Sequence, residues 1–324
     1  MGNSYPDRTN ASGVWSISDI YKNKVTHKNF PRGSTRAICF GGEAPSLVNT
    51  IDFVQMESAG NASDFGDLAA ASANMAGMSS VTRGVVAGGN PTLDVIQFVT
   101  IVTTGNTTDF GDTTEGSRAS AGASNDTRGL RAGGFTGSAN SNVIDFITMA
   151  STGNATDFGD RTVAKNTVAS LANTTRAVFA GGSNPADNVI DFIEIASTGN
   201  AIDFGDLAVA RLGAAGSNSS TKGLFSGGQP ASPIESINIG SLGNSINFGD
   251  LATNRAYLGS TDNGIKSITY AGSAEDTDST KHNQIEQVQI ASEGNAVDFG
   301  DATSSRNATQ GTISNGHGGL ALTS

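Results

Sequence analysis

The chain has 324 residues, with 30 Asp and Glu against 19 Lys and Arg, one Cys and 42 Gly. Its formal charge of −11 argues against nucleic acid as a partner, because a phosphate backbone calls for a basic surface. The single Cys39 excludes a disulfide framework, and the sequence has no apolar run of the roughly 18 residues that a membrane helix needs.

Residues 1–33 stand apart as an N-terminal arm. They hold the only Trp, Trp15, and a stretch from Ser18 to Lys24 that suits one or two helical turns, with Ser16 or Ser18 as cap and Asp19 in the first turn. The segment from Lys22 to Lys28 is basic in an acidic protein, which fits an anchor to a larger assembly or an arm laid over the rest of the chain. The first residues, MGNSYPDRTN, carry no apolar signal region, so cytoplasmic synthesis without secretion is expected. Phe30-Pro31-Arg32-Gly33 then breaks the chain ahead of the first strand, at Ala37 to Phe40.

From residue 34 to 324 the chain is a repeat. The phrase G-N-x-x-D/N-F-G-D occurs six times, with its aromatic at Phe65, Phe110, Phe158, Phe204, Phe248 and Phe299, at gaps of 45, 48, 46, 44 and 51 residues. A period in the mid-forties indicates a repeat architecture. Thirteen residues before each Phe lies Asp52, Gln97, Asp145, Asp191, Glu235 or Glu286. Twenty-four residues after the first five lies Gly89, Gly134, Gly182, Gly228 or Gly272, each closing a Gly-Gly or Ala-Gly pair. Length variation is therefore confined to one loop per repeat, between the glycine pair and the next acid or Gln97.

The stretch from Asn188 through the next repeat shows four short strands. Val189 to Ile195 is β-branched and aromatic on both faces, as in a strand covered on both sides. A turn at Ser197 to Asn200 leads to a short strand at Ile202 to Phe204. A weak strand of small residues follows, Gly213 to Ser217, then a polar turn at Asn218 to Thr221 and a last strand, Lys222 to Ser226, ending in Gly227-Gly228. No helical periodicity intervenes, so the fold is all-β, and four strands per repeat make a β-propeller blade. The first repeat begins at its second strand. A C-terminal strand near Ala308 to Ile313 is therefore expected to complete blade one, giving six blades. His317 to Thr323 is left over, and a seventh blade built from it and the N-terminal segment is the alternative.

The repeat resembles the kelch-type β-propellers. Their hallmarks are a glycine pair ending the second strand (here Gly88-Gly89, Gly133-Gly134, Gly181-Gly182 and Gly227-Gly228), an aromatic near the fourth strand, and a basic residue after it (Arg118, Lys165, Arg211, Arg255 and Arg306). Phe stands where that family has Trp, and blade six has Ala271-Gly272. The wording also resembles Gly/Ser/Thr/Asn-rich repeats in structural proteins of tailed bacteriophages, notably those infecting marine cyanobacteria. Ala150 to Asp160 and Ala196 to Leu207 carry the likeness, which extends over roughly 35–310. It implies a virion location, other virion proteins as partners, and a homo-oligomeric or multi-copy state.

No catalytic constellation emerges. Six copies of D/N-F-G-D lack the catalytic and phosphate loops of a kinase. Paired acids such as Asp64 and Asp67 lack the dense oxygen spacing of a calcium loop and are expected to cap turns. Sequons such as Asn61-Ala-Ser63 fall in the same repeated turn and read as turn chemistry. His27, His282 and His317 share no metal spacing, and neither cofactor nor metal is expected. Acids and bases twenty residues apart, Asp191 with Arg211, Asp145 with Lys165 and Glu235 with Arg255, are expected to pair within or between blades. A second basic series, Arg36, Arg83, Arg128, Arg176, Lys222 and Lys266, is expected at the opposite rim in exposed turns that favour solubility, with anion binding as the alternative.

A rigid scaffold with one diversified loop per repeat is the arrangement of a binding surface. Asn90, Phe135, Asn184, Gln229, Glu275, Asp276, Asp278 and His282 are its candidate residues, and the six repeated Phe are structural. The expected function is a non-enzymatic tail-fibre or tail-associated propeller that contacts a host-surface glycan or protein, or neighbouring virion subunits. A capsid decoration protein is the alternative. Sugar recognition usually uses exposed aromatics, and the loops offer few beyond Phe135, which counts against a glycan.

Overall fold

A computed structural model describes residues 35–230, 233–274 and 280–320. The chain folds as an all-β, six-bladed propeller, each blade an antiparallel sheet of four strands. Blade 4 is typical, with strands Ala169–Ala172, Arg176–Ala180, Asp187–Glu194 and Ile202–Arg211 in order from axis to rim. Blade 1 takes its inner strand, Ile313–Ser314, from the far end of the chain, pairing Ile313 with Ile38 and Ser314 with Ala37. That strand closes the ring at the expected place, and the described residues make six blades, not seven. His317 to Leu320 form turns rather than a leftover strand. The arm, residues 1–33, and the end of the chain, 321–324, lie outside the described residues.

Among the described residues there is no single central core: the buried apolar side chains form six clusters, and each lies between two neighbouring blades. The repeated phenylalanines sit in these seams, Phe65 and Phe204 both 2% exposed. In blades 1 to 4 each meets an aromatic of the third strand edge-on; Phe192 and Phe204 have ring centroids 5.7 Å apart. Cys39 lies in the seam between blades 6 and 1, where burial pushes its thiol up to about 11 and leaves it an unreactive small hydrophobe.

Three kinds of polar clasp bind neighbouring blades, the first of them at all six junctions, where it explains the repeated phrase. In the first, the Gly-Asn turn of one blade docks on the outer strand of the blade before it. Gly199 N–H donates to the Phe158 carbonyl (2.8 Å), and Asn200 Oδ1 accepts from Asp160 N–H (3.0 Å). The same pair of bonds recurs at Asn61, Asn106, Asn154, Asn244 and Asn295. The Asn thus caps the neighbouring blade rather than its own turn. The glycine after the phenylalanine is required by closeness as well as by its backbone: a Cβ on Gly159, at φ +145°, would stand 2.5 Å from the Gly199 carbonyl oxygen.

The second clasp corrects the expected ion pairs. Arg211, Arg255 and Arg306, which follow outer strands, reach forward to the acid of the following blade, not back to the acid twenty residues before it. Arg211 meets Glu235 (3.6 Å) and Arg255 meets Glu286 (2.9 Å); Arg306 meets Asp52 and so ties the last blade to the first. Asp145 pairs with Arg131 (2.7 Å), Asp191 with Arg161 (3.1 Å), and Lys165 turns aside to Asp187 (3.1 Å). The outer strand ends beside the next blade's third strand, so the forward partner is the near one. The same acid also accepts a backbone N–H from the preceding blade, as Glu235 does from Ala208 (3.1 Å) and Asp191 from Thr162 (2.9 Å). At the junction of blades 1 and 2 both partners are neutral, Ser72 and Gln97; Gln97 keeps the backbone cap on Ala69 (3.0 Å) and accepts the Thr107 hydroxyl (2.7 Å).

The third clasp corrects the reading of the basic rim. Arg36, Arg83, Arg128 and Arg176 are half-buried staples, each donating to a backbone carbonyl of the next blade: Ile101, Met149, Ile195 and Ile239, at 2.6–3.0 Å. Each also lies over the third-strand Phe of its own blade, at 4.7–5.0 Å. Blades 5 and 6 replace the whole unit, with Lys222 and Lys266 where the arginines stand and Ser236 and Gln287 where the phenylalanines stand.

Candidate binding cup on the glycine-pair face

The second strand of each blade ends in the glycine pair, so the six variable loops leave the propeller on one face. On the same face the chain crosses from each outer strand to the inner strand of the next blade. There it places one residue per blade around the axis: Asn74, Ala119, Thr167, Gly213, Tyr257 and Ala308. All six are left-handed, with φ between +52° and +68°. This turn aims each N–H at the carbonyl of the previous member. Ala119 donates to Asn74, Thr167 to Ala119, Gly213 to Thr167, Tyr257 to Gly213, Ala308 to Tyr257 and Asn74 to Ala308, at 2.7–3.1 Å. The result is a closed backbone ring of six hydrogen bonds, all running in one sense. Five members are not glycine, and a left-handed backbone costs such residues about 1–3 kcal/mol each; the ring bonds offset that strain.

Above the ring lies a cup of about 340 Å³. Its floor is Asn74, Ala119, Thr167, Tyr257 and Ala308, and its wall includes Glu43, Arg118, Phe135, Asn166, Asn184 and Asn307. Arg118 lies over the Phe135 ring, 5.3 Å from its centroid, and the backbones of the two residues exchange hydrogen bonds (3.1 and 2.8 Å). Glu43 is paired with Lys281 (3.1 Å). Asn166 is held by Asn140 (2.6 Å) and Ser183. Among the described residues Arg118 makes no ion pair, and its side-chain contact is a long bond to Asn90 Oδ1, 3.5 Å.

Of the loop residues expected to bind, Phe135 and Asn184 line this cup. Asn90 and Gln229 stand on the same face as the residues after their glycine pairs; each bridges the incoming chain, Ala73 with Asn90 and Leu212 with Gln229. His282 is a structural residue of blade 6. Its N–H donates to Gly272 (2.8 Å), its carbonyl accepts from Arg306 (3.0 Å), and burial beside Arg255 lowers its pKa. Glu275, Asp276 and Asp278 lie outside the described residues. Sequence reasoning missed Tyr257, Arg118, Glu43 and the ring. Tyr257 occupies a slot in the fixed part of the repeat, nine residues after Phe248, where the other blades have Asn, Ala, Thr, Gly and Ala. That lone large residue was the available signal.

The opposite mouth is stoppered by the chain itself. Gly318 and Gly319 approach Asn218, Ser219, Ser124 and Ala172 too closely for any side chain. His317 Nε2 lies 3.1 Å from the Ser79 carbonyl. Asp262 accepts N–H bonds from Asn218 (2.7 Å), Gly264 (3.0 Å) and Gly318 (2.8 Å), yet burial outweighs them and pushes its pKa up to about 7. Burial lowers the pKa of His317. Between stopper and ring, a cavity of about 70 Å³ lies on the axis, lined largely by Gly, Ala and Ser. The cup is therefore a blind recess.

No protein-family model matches the chain, and no curated protein is similar to it.

Proposed function

We propose that the protein is a non-enzymatic recognition propeller of a tailed-phage virion, contacting its target through the glycine-pair face. The observation that carries this reading is the cup. It is a blind recess at the centre of the face where all the length-variable loops emerge, with polar and aromatic groups converging on a rigid floor. The likeness of the D-F-G-D phrases to tailed-phage structural repeats supports a virion setting, and the glycine pairs support a kelch-like kinship. The target is a host-surface component. The test is binding of fluorescent protein to candidate host cells, compared with a variant in which 275–279 is shortened and one in which Phe135 is replaced by Ser. Saturable binding that either change weakens supports the reading. Absence of binding by the folded protein at micromolar concentration overturns it.

A second reading, a structural role among virion subunits, rests on the outer rim. Ile202, Ile246 and Val297 take the same outer-strand position in blades 4, 5 and 6 and are 57–61% exposed, with Leu242 also 59% exposed. Blades 1 to 3 carry Ser63, Thr108 and Thr156 there. An apolar arc on half the circumference suits packing in a multi-copy assembly. Sedimentation of the wild type against Ile246→Thr reads this out: a concentration-dependent oligomer lost in the variant supports it, and a monomer in both refutes it.

A further inference from the structure

We propose that the cup takes a single pyranose ring bearing a carboxylate, a uronic acid unit of a surface polysaccharide; this rests on the glycine-pair face being the recognition surface. Three features of the cup point to this class. Its volume, about 340 Å³, lies near the low end of the roughly 300–1,000 Å³ range of small-molecule sites and suits one ring rather than a folded peptide. Two aromatics border it from different elements, Phe135 from the end of the strand Arg128–Phe135 and Tyr257 from the floor, so the apolar C–H face of a sugar has flat partners. The amides of Asn74 and Asn184 each both donate and accept, which matches hydroxyl groups that do the same.

The charge follows from the pairing around the rim. Glu43 is matched by Lys281 and Lys165 by Asp187, at 3.1 Å each. Arg118 has no acidic partner among the described residues, and the Phe135 ring beneath it holds its guanidinium in place. Its planar fork of N–H donors suits a carboxylate in two-point contact. A neutral sugar would leave that fork to water.

The repeat supplies its own conservative replacements for the test. Ala119 and Ala308 occupy the position of Tyr257 at φ +57° and +59°, so Tyr257→Ala preserves a backbone already found twice in the ring. Ser183 and Ser273 follow their glycine pairs as Phe135 does, so Phe135→Ser is equally precedented. Binding of methyl glucuronide and methyl glucoside is measured by calorimetry and ligand-observed NMR on wild type, Tyr257→Ala, Phe135→Ser and Arg118→Leu, with circular dichroism confirming each fold. The expected result is glucuronide binding at least about tenfold tighter than glucoside, a difference abolished in Arg118→Leu, with both sugars weakened by the two aromatic variants. Equal affinity for the two sugars, or glucuronide binding indifferent to all three variants, overturns the inference. If host cells bind the protein but the cup variants bind them equally well, the inference fails and the face reading stands. If glucuronide binds at the cup and cells are not bound, the host-cell target fails while the face remains a recognition surface and the inference stands.

Discussion

The ion pair between Arg306 and Asp52 joins the last blade to the first, and the repeat contains its own control for it. Both side chains are fully buried, and Asp52 also accepts the N–H (3.0 Å) and hydroxyl of Thr303. Asp52→Gln leaves the guanidinium buried without its counter-charge, a loss of about 3–5 kcal/mol. Adding Arg306→Ser recreates the neutral pair Ser72 and Gln97 that already joins blades 1 and 2, with the backbone cap intact. The double variant should therefore be about 2 kcal/mol less destabilised than the sum of the singles, within the range seen for contacting residues. Urea unfolding by circular dichroism measures this, once far-UV and fluorescence transitions are shown to coincide. Singles that add to within about 0.5 kcal/mol would refute the coupling. So would an Asp52→Gln variant that costs less than about 1 kcal/mol, since that result is incompatible with an unpaired buried cation.

Four further outcomes are expected. Gly159→Ala should destabilise by at least about 2 kcal/mol, because its Cβ would collide with the Gly199 carbonyl, whereas Gly60→Ala, with nothing within 4 Å, should be mild; thermal melts compare them. Asn200→Ala should cost about 0.5–1.5 kcal/mol by uncapping Asp160 N–H, and faster amide exchange at Asp160 reads the loss locally. Arg176→Ala, which removes both the Ile239 carbonyl bond and the stack on Phe192, should cost about 1–2 kcal/mol by urea unfolding, and Lys222→Ala less. The stopper should respond to pH with a definite sign. Asp262 has a raised folded pKa, so its contribution is complete below the ordinary value of 3.8 and is lost as pH rises through about 7. The lowered pKa of His317, which faces Asp126 and the Ser79 carbonyl, acts oppositely, removing stability as pH falls below 6.5. Melting temperatures of the wild type should therefore fall relative to Asp262→Asn between about pH 4 and 7, and parallel curves across that window would refute the assignment.

The architecture was legible because the repeat states it six times. Invariant spacing from acid to Phe to glycine pair fixed the four strands, and a first repeat lacking its inner strand implied closure by the chain's end. Partner choice was not legible. Asp191 and Arg211 are regular in sequence, but regular spacing cannot distinguish a partner in the same blade from one in the next. The exceptions held the clue. Arg131 and Arg161 stand at positions where other blades carry apolar residues such as Phe225 and Leu207, and each takes over where the usual base is Ser117 or is diverted as Lys165. The cup was half legible. Phe135 and Asn184 were found through loop variation, whereas Tyr257 lies in the constant part of the repeat, where variation was not sought.

The ring beneath the cup has an electrical consequence. Each peptide group carries a dipole of about 3.5 D. Six of them joined head to tail around a near-sixfold axis circulate, so their components along the ring cancel. The floor therefore presents neither the positive end of a helix nor a crown of inward-facing acceptors. Whatever charge a ligand brings is judged by the wall alone, chiefly by Arg118 and Glu43. A change of two side chains could re-address the same recess to a differently charged target while the backbone beneath it stays as it is.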